Sequence, residues 1–426
     1  MIRIETLRRW TLWTYMAVSG FVAIEPSPYE YMLPAMIFVF AGGGMRFDSA
    51  LAPLIACLLT YDASGLISLV PFVDEKESYS FTYITVYMSF ATILVAAIVA
   101  AAPLRRMATI RRGYVTAGVV SALLGVIGYF NVAGTGAYFT AYDNTRAMGF
   151  FKDPNVFGPF LVPPIIWLFQ DLLLKRVRPW VAALCLTALL TGVFLSFSRG
   201  AIFDCLFAIV LVLAITYLTA ESSRLRGRTV MVAGLGFALL VGILFVVLAV
   251  PAVRELAIER ATLAEDYDSG EQGRFGNQIR SIPMLLERPF GFGPQRFAHI
   301  FPQDPHQVFI SAFGSFGWSG GLAFAVFFAI TLYFGWRLCF RRSAFQTHAI
   351  AVWSALFPQL LQGFQIDTNH WRHMFLMIGC IYGLAAADRI ASVERGPARL
   401  AAAPPLATRL NRLRARDRGP VPAKPG

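Results

Sequence analysis

Apolar stretches of roughly membrane-spanning length alternate with short polar breaks along nearly the whole chain, a pattern that predicts a bundle of transmembrane helices. A helix needs about 20 mainly apolar residues to cross a hydrocarbon core roughly 30 Å thick. Twelve segments qualify, near residues 9–25, 29–44, 48–72, 80–102, 115–133, 156–174, 179–197, 200–219, 229–251, 306–336, 347–363 and 372–389. The first two are short, and Pro163 and Pro164 fall inside the sixth, where neighbouring helices can accommodate them. The first apolar run leads straight into further spans without a small-residue cleavage motif, so no removable leader is expected. The expected fold is an all-α polytopic bundle over residues 1–392, followed by an Ala/Pro/Arg-rich, disordered tail over 393–426.

Composition agrees with this pattern. With 57% apolar and 15% charged residues, and 37 Phe among 426 positions, the chain is outside the range of an ordinary soluble domain. A net charge of +12 raises the question of nucleic acid, but the placement of the charges answers it. Arg3, Arg8 and Arg9 precede the first span; Arg105, Arg106, Arg111 and Arg112 follow the fourth; Lys175, Arg176 and Arg178 follow the sixth. Arg224, Arg226 and Arg228 follow the eighth, and Arg337, Arg341 and Arg342 follow the tenth. The loops between are acidic or mixed, as in Glu25 to Glu30 and Asp74 to Glu77. By the positive-inside rule both termini and the basic loops are cytoplasmic, no nucleic-acid partner is implied, and the basic tail gains affinity for anionic membrane lipids. Cys57, Cys185, Cys205, Cys339 and Cys380 lie within or at the ends of predicted helices with no metal-type spacing, and read as small core hydrophobes.

That topology leaves three segments on the outer side: 134–155, 252–305 and 364–371. The first ends in Arg146-Ala-Met-Gly149-Phe-Phe-Lys152-Asp153-Pro154-Asn155, in which Asp-Pro-Asn suits a helix-opening turn and Arg146 and Lys152 are available for an anionic ligand. Ser196-Phe-Ser198-Arg199-Gly200 joins two spans with no loop, which puts Arg199 at the outer boundary, either snorkelling to lipid phosphate or binding a ligand. Asp204 is its partner or a separate buried acid. The long loop 252–305 predicts an amphipathic helix over 273–287, with Phe275, Ile279, Ile282 and Leu286 on one stripe, lying on the bundle or at the interface. Arg288-Pro289-Phe290-Gly291-Phe292-Gly293 follows, a rigid turn whose glycines allow close approach of backbone to a ligand. His306 stands at the mouth of the tenth span, where a histidine can either accept a proton near neutral pH or simply pack the interface. Asp367, His370, Arg372 and His373 crowd the last outer turn; two histidines at i, i+3 without a further ligand pair make a weak metal motif, and Trp371 suits an interfacial anchor.

Taken in order, Arg146…Gly149-Phe-Phe-x-Asp153-Pro154-Asn155, Ser198-Arg199-Gly200, Gly273-Arg274…Arg288-Pro289-x-Gly291-x-Gly293 and His306 resemble the O-antigen ligase/polymerase superfamily over roughly residues 140–320. One departure is His306-Gln307, where the family often has His-Asn. The resemblance implies a membrane glycosyltransferase of a bacterial inner membrane, acting on the periplasmic face without metal or other cofactor. Such an enzyme moves a glycan from undecaprenyl pyrophosphate to a sugar hydroxyl with inversion, the acceptor being another lipid-linked glycan (polymerase) or lipid A–core (ligase). It further implies His306 as the catalytic base, Arg199 and Arg274 as the main substrate-binding residues, and Arg288 and Arg146 behind them. The alternative is a twelve-helix secondary transporter, which would show internal repeats and midplane polar groups; no repeat between residues 1–200 and 201–400 is evident.

Overall fold

The computed structural model describes residues 3–24, 26–142, 145–251, 253–255, 273–301 and 304–401. The expected tail beyond residue 401 and much of the loop 252–305 lie outside the described residues. Within the described residues, fifteen α-helices carry the fold: α1 (Ile4–Ala17), α2 (Pro28–Ala41), α3 (Ala52–Leu69), α4 (Lys76–Ala101), α5 (Pro103–Tyr129), α6 (Gly136–Phe139), α7 (Pro154–Phe160), α8 (Val162–Leu173), α9 (Pro179–Leu195), α10 (Arg199–Thr219), α11 (Ser223–Leu248), α12 (Arg274–Leu286), α13 (Val308–Phe340), α14 (Gln346–Gln362) and α15 (Arg372–Ala401). Strand is confined, among the described residues, to a two-residue antiparallel pair that sets Ala141 against Arg146.

Among the described residues, eight helical segments are long and apolar enough to cross a membrane. The other four predicted spans form the shorter helices α1, α2, α9 and α14, of 14, 14, 17 and 17 residues. The sixth span is divided at Leu161 into α7 and α8, at the run containing Pro159, Pro163 and Pro164. The last helix continues past Val393, the expected start of the tail.

The main packing pairs are α15 with α4, α13 with α3, α1 with α5, and α10 with α14. In α15, Gly379 and Gly383 stand one turn apart against Val95 and Val99 of α4, the close approach that small residues allow between membrane helices. At the arginine-rich end several basic residues do more than set topology. Arg106 is buried, ion-paired to Glu5 at 3.1 Å and positioned 5.0 Å from the centre of the Phe40 ring. Arg111 pairs with Asp171 across α5 and α8, and Arg341 with the buried Asp388 at 3.0 Å across α13 and α15.

The longest helix is broken. At Gly317 the backbone of α13 leaves helical geometry (φ 68°, ψ −165°), and the turn at 288–293 inserts into the gap. The Trp318 amide donates to the Pro289 carbonyl at 2.9 Å, and the Phe292 amide donates to the Gly314 carbonyl at 2.6 Å. Ser68 of α3 donates to the carbonyls of both Phe290 (3.0 Å) and Ser315 (2.7 Å). A Cβ on Gly291 (φ 73°) would run into the Gly314 carbonyl, and one on Gly317 into that of Pro289. The glycine-rich turn therefore brings backbone close to the chain's own helix, not to a ligand as the sequence suggests. A break inside a membrane helix frees polar groups that must be satisfied by protein, and this turn satisfies them.

Helix α12 forms where the amphipathic pattern predicts, with an informative orientation. Its stripe of Phe275, Ile279, Ile282 and Leu286 is exposed, while Asn277 and Ser281 are fully buried. The apolar stripe is turned outward, away from the bundle, the orientation in which an amphipathic helix can meet lipid.

Replacing Gly291 by Ala combines positive-φ strain, about 1–3 kcal/mol, with a backbone collision, whereas a Cβ added to Gly43 (φ 96°) would meet nothing within 4 Å. Thermal melting in detergent is expected to show a clearly larger loss of stability for Gly291→Ala than for Gly43→Ala; equal losses would argue against the inserted turn.

Candidate active site

The sequence-predicted residues gather at the end of the bundle opposite the arginine-rich loops, and Arg146, Arg274 and His306 are each held by a polar contact to a non-helical turn. Asp153 caps α7 by accepting the Asn155 amide at 2.8 Å, as the Asp-Pro-Asn pattern predicts. Arg146 is buried; its Nε–H donates to the Ser196 carbonyl and its Nη2–H to Asn155 Oδ1, both at 2.8 Å. These donors are engaged by the protein itself. One guanidinium ties the opening of α7 to the turn between α9 and α10.

That turn is tight. Phe197 adopts left-handed backbone (φ 46°), Ser198 caps α10 by accepting the Ala201 amide at 3.4 Å, and Arg199 follows half-buried. Gly200 packs directly on the Gln362 side chain at the end of α14. Asp204 is fully buried, and neither of its carboxylate oxygens has a hydrogen-bond partner among the described residues, so it is a separate buried acid and not the partner of Arg199.

Arg274, the first residue of α12, donates Nη1–H to the Gln365 carbonyl at 3.0 Å. One turn on, Gln278 donates Nε2–H to the Pro305 carbonyl at 2.6 Å, which fixes the segment leading into His306. Gln307 caps α13 by accepting the Ile310 amide at 2.6 Å. The departure from His-Asn thus concerns a capping amide, a job that Gln performs here with its longer side chain.

His306 is half-buried in left-handed backbone (φ 44°), an uncommon conformation that surrounding structure must enforce. Its Nδ1 lies 3.5 Å from Asp367 Oδ2. The hydrogen bond to the Asp367 carboxylate raises the His306 pKa above its ordinary value; burial opposes this, Asp304 adds to it, and Arg274 counters it. Asp367 is the partner that sequence reasoning misses. The sequence shows it in a crowded polar turn but gives it no role, because nothing local signals a contact between residues so far apart in the chain.

The turn 362–370 is the meeting point. Gln362 meets Gly200, the Gly363 carbonyl accepts the Val308 amide at 2.9 Å, the Gln365 carbonyl accepts Arg274, and Asp367 meets His306. His370 stacks on Phe81 at 4.1 Å with its Nε2 2.8 Å from Thr85 Oγ1. His373 is instead buried beside Trp371, so the two histidines face different surroundings. Trp371, at 4% exposure, is a core residue and not the interfacial anchor expected of it; its amide closes the turn by donating to the Thr368 carbonyl at 3.0 Å. Arg288 is exposed, with its guanidinium 5.5 Å from the centre of the Phe292 ring, and among the described residues it pairs with no acid.

Two hollows adjoin this centre. A groove of about 410 Å³ between α12 and α13 is lined almost wholly by apolar side chains, including Leu285, Leu286, Phe313, Trp318 and Leu322. A cavity of about 160 Å³ beside Asp367 is lined by carboxylates, amides, hydroxyls and two aromatic rings.

The fold and site define a polytopic helical membrane protein with a polar centre at one end of the bundle. Residues 182–325 match the family model of O-antigen ligase, in agreement with the resemblance seen in the motifs. No curated protein matches the chain. The family match lends no support to a secondary transporter.

The Asp367 contact makes a direct prediction. In a histidine NMR titration His306 is expected to protonate at a higher pH than a free imidazole, because the neighbouring carboxylate favours the imidazolium. Asp367→Asn removes that carboxylate and should lower the midpoint; an unchanged midpoint would refute the pairing.

Proposed function

We propose that this protein is a metal-independent, inverting glycosyltransferase that transfers a glycan from undecaprenyl pyrophosphate to a sugar hydroxyl at the periplasmic face of a bacterial inner membrane. The observation that carries the reading is the convergence of Arg199, Arg274 and His306 on the turn after α14, two of them anchored by it and the third preceding the glycine that packs on it. Three helices, α10, α12 and α13, begin at this centre, and helix N-termini favour anions.

His306 takes the proton of the acceptor hydroxyl as its oxygen bonds to the anomeric carbon. The bond from that carbon to the pyrophosphate oxygen breaks on the opposite face, inverting the configuration, and undecaprenyl pyrophosphate leaves with the electron pair. Arg199 and Arg274 stabilise the charge that grows on the leaving group, since guanidinium pairs bidentately with phosphate oxygens. Asp367 holds the imidazole and stabilises its protonated form. Arg146 acts as a positioning residue through the turn that bears Arg199, and Arg288 guides the donor headgroup from the outer rim. The apolar groove between α12 and α13 receives the first isoprene units of the lipid, which supports a lipid-linked donor.

In a transfer assay with purified protein and the native lipid-linked donor, Arg199→Ala and Arg274→Ala are each expected to lower kcat on the order of 10²–10³-fold, and His306→Ala on the order of 10²–10⁴-fold. Retained activity in all three would refute the site. Because the base works as neutral imidazole, the rate should fall as pH drops through the raised pKa of His306, and Asp367→Asn should move that acid limb to lower pH. Deletion of the gene assigns the acceptor: short lipopolysaccharide with accumulated lipid-linked polymer marks a ligase, single repeats on core mark a polymerase, and unchanged surface glycans would overturn the proposal.

A further inference from the structure

The cavity beside His306 has a chemical character of its own. Its polar lining consists of Asp304 and Asp367, the amides of Gln295 and Asn369, the hydroxyls of Ser311 and Ser315 and the imidazole of His370, flanked by Phe81 and Phe297. Carboxylates and amides pair with vicinal hydroxyls, and rings cover the C–H faces of a pyranose. A volume of about 160 Å³ takes roughly ten water-sized groups, the scale of a single sugar ring and far too small for an oligosaccharide. Two residues at this centre, Gln295 (φ 58°) and His306 (φ 44°), hold left-handed backbone without being glycine, which is strain concentrated where side chains are aimed at a site. The loop that bears Gln295 is fastened to α4, where Ser78 donates to the Pro294 carbonyl at 2.8 Å and Arg296 pairs with Glu75.

Charge is segregated across the centre. Arg274 approaches from α12 and Arg199 from α10, whereas the cavity is lined by two carboxylates and, among the described residues, by no arginine or lysine, its one basic side chain being His370, stacked on Phe81 and bonded to Thr85. Opposed charge on one side and like charge on the other is how a site discriminates against wrong occupants.

We propose, building on the glycosyltransferase reading, that this cavity is the acceptor subsite and that it selects an acceptor whose reacting sugar is uncharged. Asp304 and Asp367 receive its hydroxyls, direct the attacking one to His306, and repel sugars bearing a carboxylate or phosphate. The pyrophosphate is thereby kept on the arginine side, so donor and acceptor cannot exchange places.

The test uses the full-length protein in liposomes with the native lipid-linked glycan as donor. Dodecyl glucoside and dodecyl glucuronide, identical but for one carboxylate, are supplied at equal concentration as competitors of the cell-derived acceptor. The glucoside is expected to compete at a concentration at least about tenfold lower than the glucuronide, and Asp304→Asn should narrow that ratio while leaving the KM for the donor unchanged. Equal competition by the wild-type protein, or a preference for the glucuronide, would overturn the proposal, and this comparison needs no variant to fold. A change confined to donor KM in Asp304→Asn would also overturn it. Failure of the underlying reading looks different, since then no donor is consumed with any acceptor.

Discussion

Hydrocarbon offers no water to an open backbone group, so every departure from helix in and at the edge of this bundle has to be satisfied by the chain itself. This constraint organises the molecule. The break in α13 at Gly317 is closed by the amides and carbonyls of the 288–293 turn. The carbonyl of Ser196 takes Arg146, that of Gln365 takes Arg274, and that of Pro305 takes Gln278. The carbonyl of Pro159, in the last turn of α7 before the break at Leu161, takes the buried Gln359 at 3.0 Å. Residues that look like ligand-binding motifs in sequence are, in part, the donors that make irregular backbone tolerable.

The same bonds create a polar centre. Irregular turns expose helix N-termini and hold side chains at fixed angles, and three such turns, at the starts of α10, α12 and α13, meet residues 362–370. A guanidinium that already spends one N–H on a carbonyl retains others, because it carries five donors in a planar fork. Arg146, with two of its donor groups engaged and its side chain buried, ties the opening of α7 to the turn that precedes α10. The apolar groove is walled on one side by Ile282, Leu285 and Leu286 of α12.

The all-α bundle, its twelve apolar segments and the amphipathic helix at 274–286 were legible in the sequence because they depend on local periodicity and on length against membrane thickness. So was the cap at Asp153, since a cap acts within three residues of itself. The family resemblance was legible as an ordered series of motifs, and residues 182–325 match the O-antigen ligase family model.

What the sequence could not supply were contacts between residues far apart in the chain. Nothing local shows that Asp367 faces His306, that Gly291 is small for the sake of Gly314, that Arg146 reaches Ser196, or that Trp371 is buried instead of anchoring at the interface. Periodicity tells which face of α12 is apolar, but only packing decided that this face looks away from the bundle. The sequence by itself determined which segments are helices and which polar residues are candidates for chemistry, because both are written in short-range composition. Tertiary structure alone decided which of those residues meet, because in a helical membrane protein the turns of distant hairpins are brought together by helix packing, and their open backbone groups then select the partners.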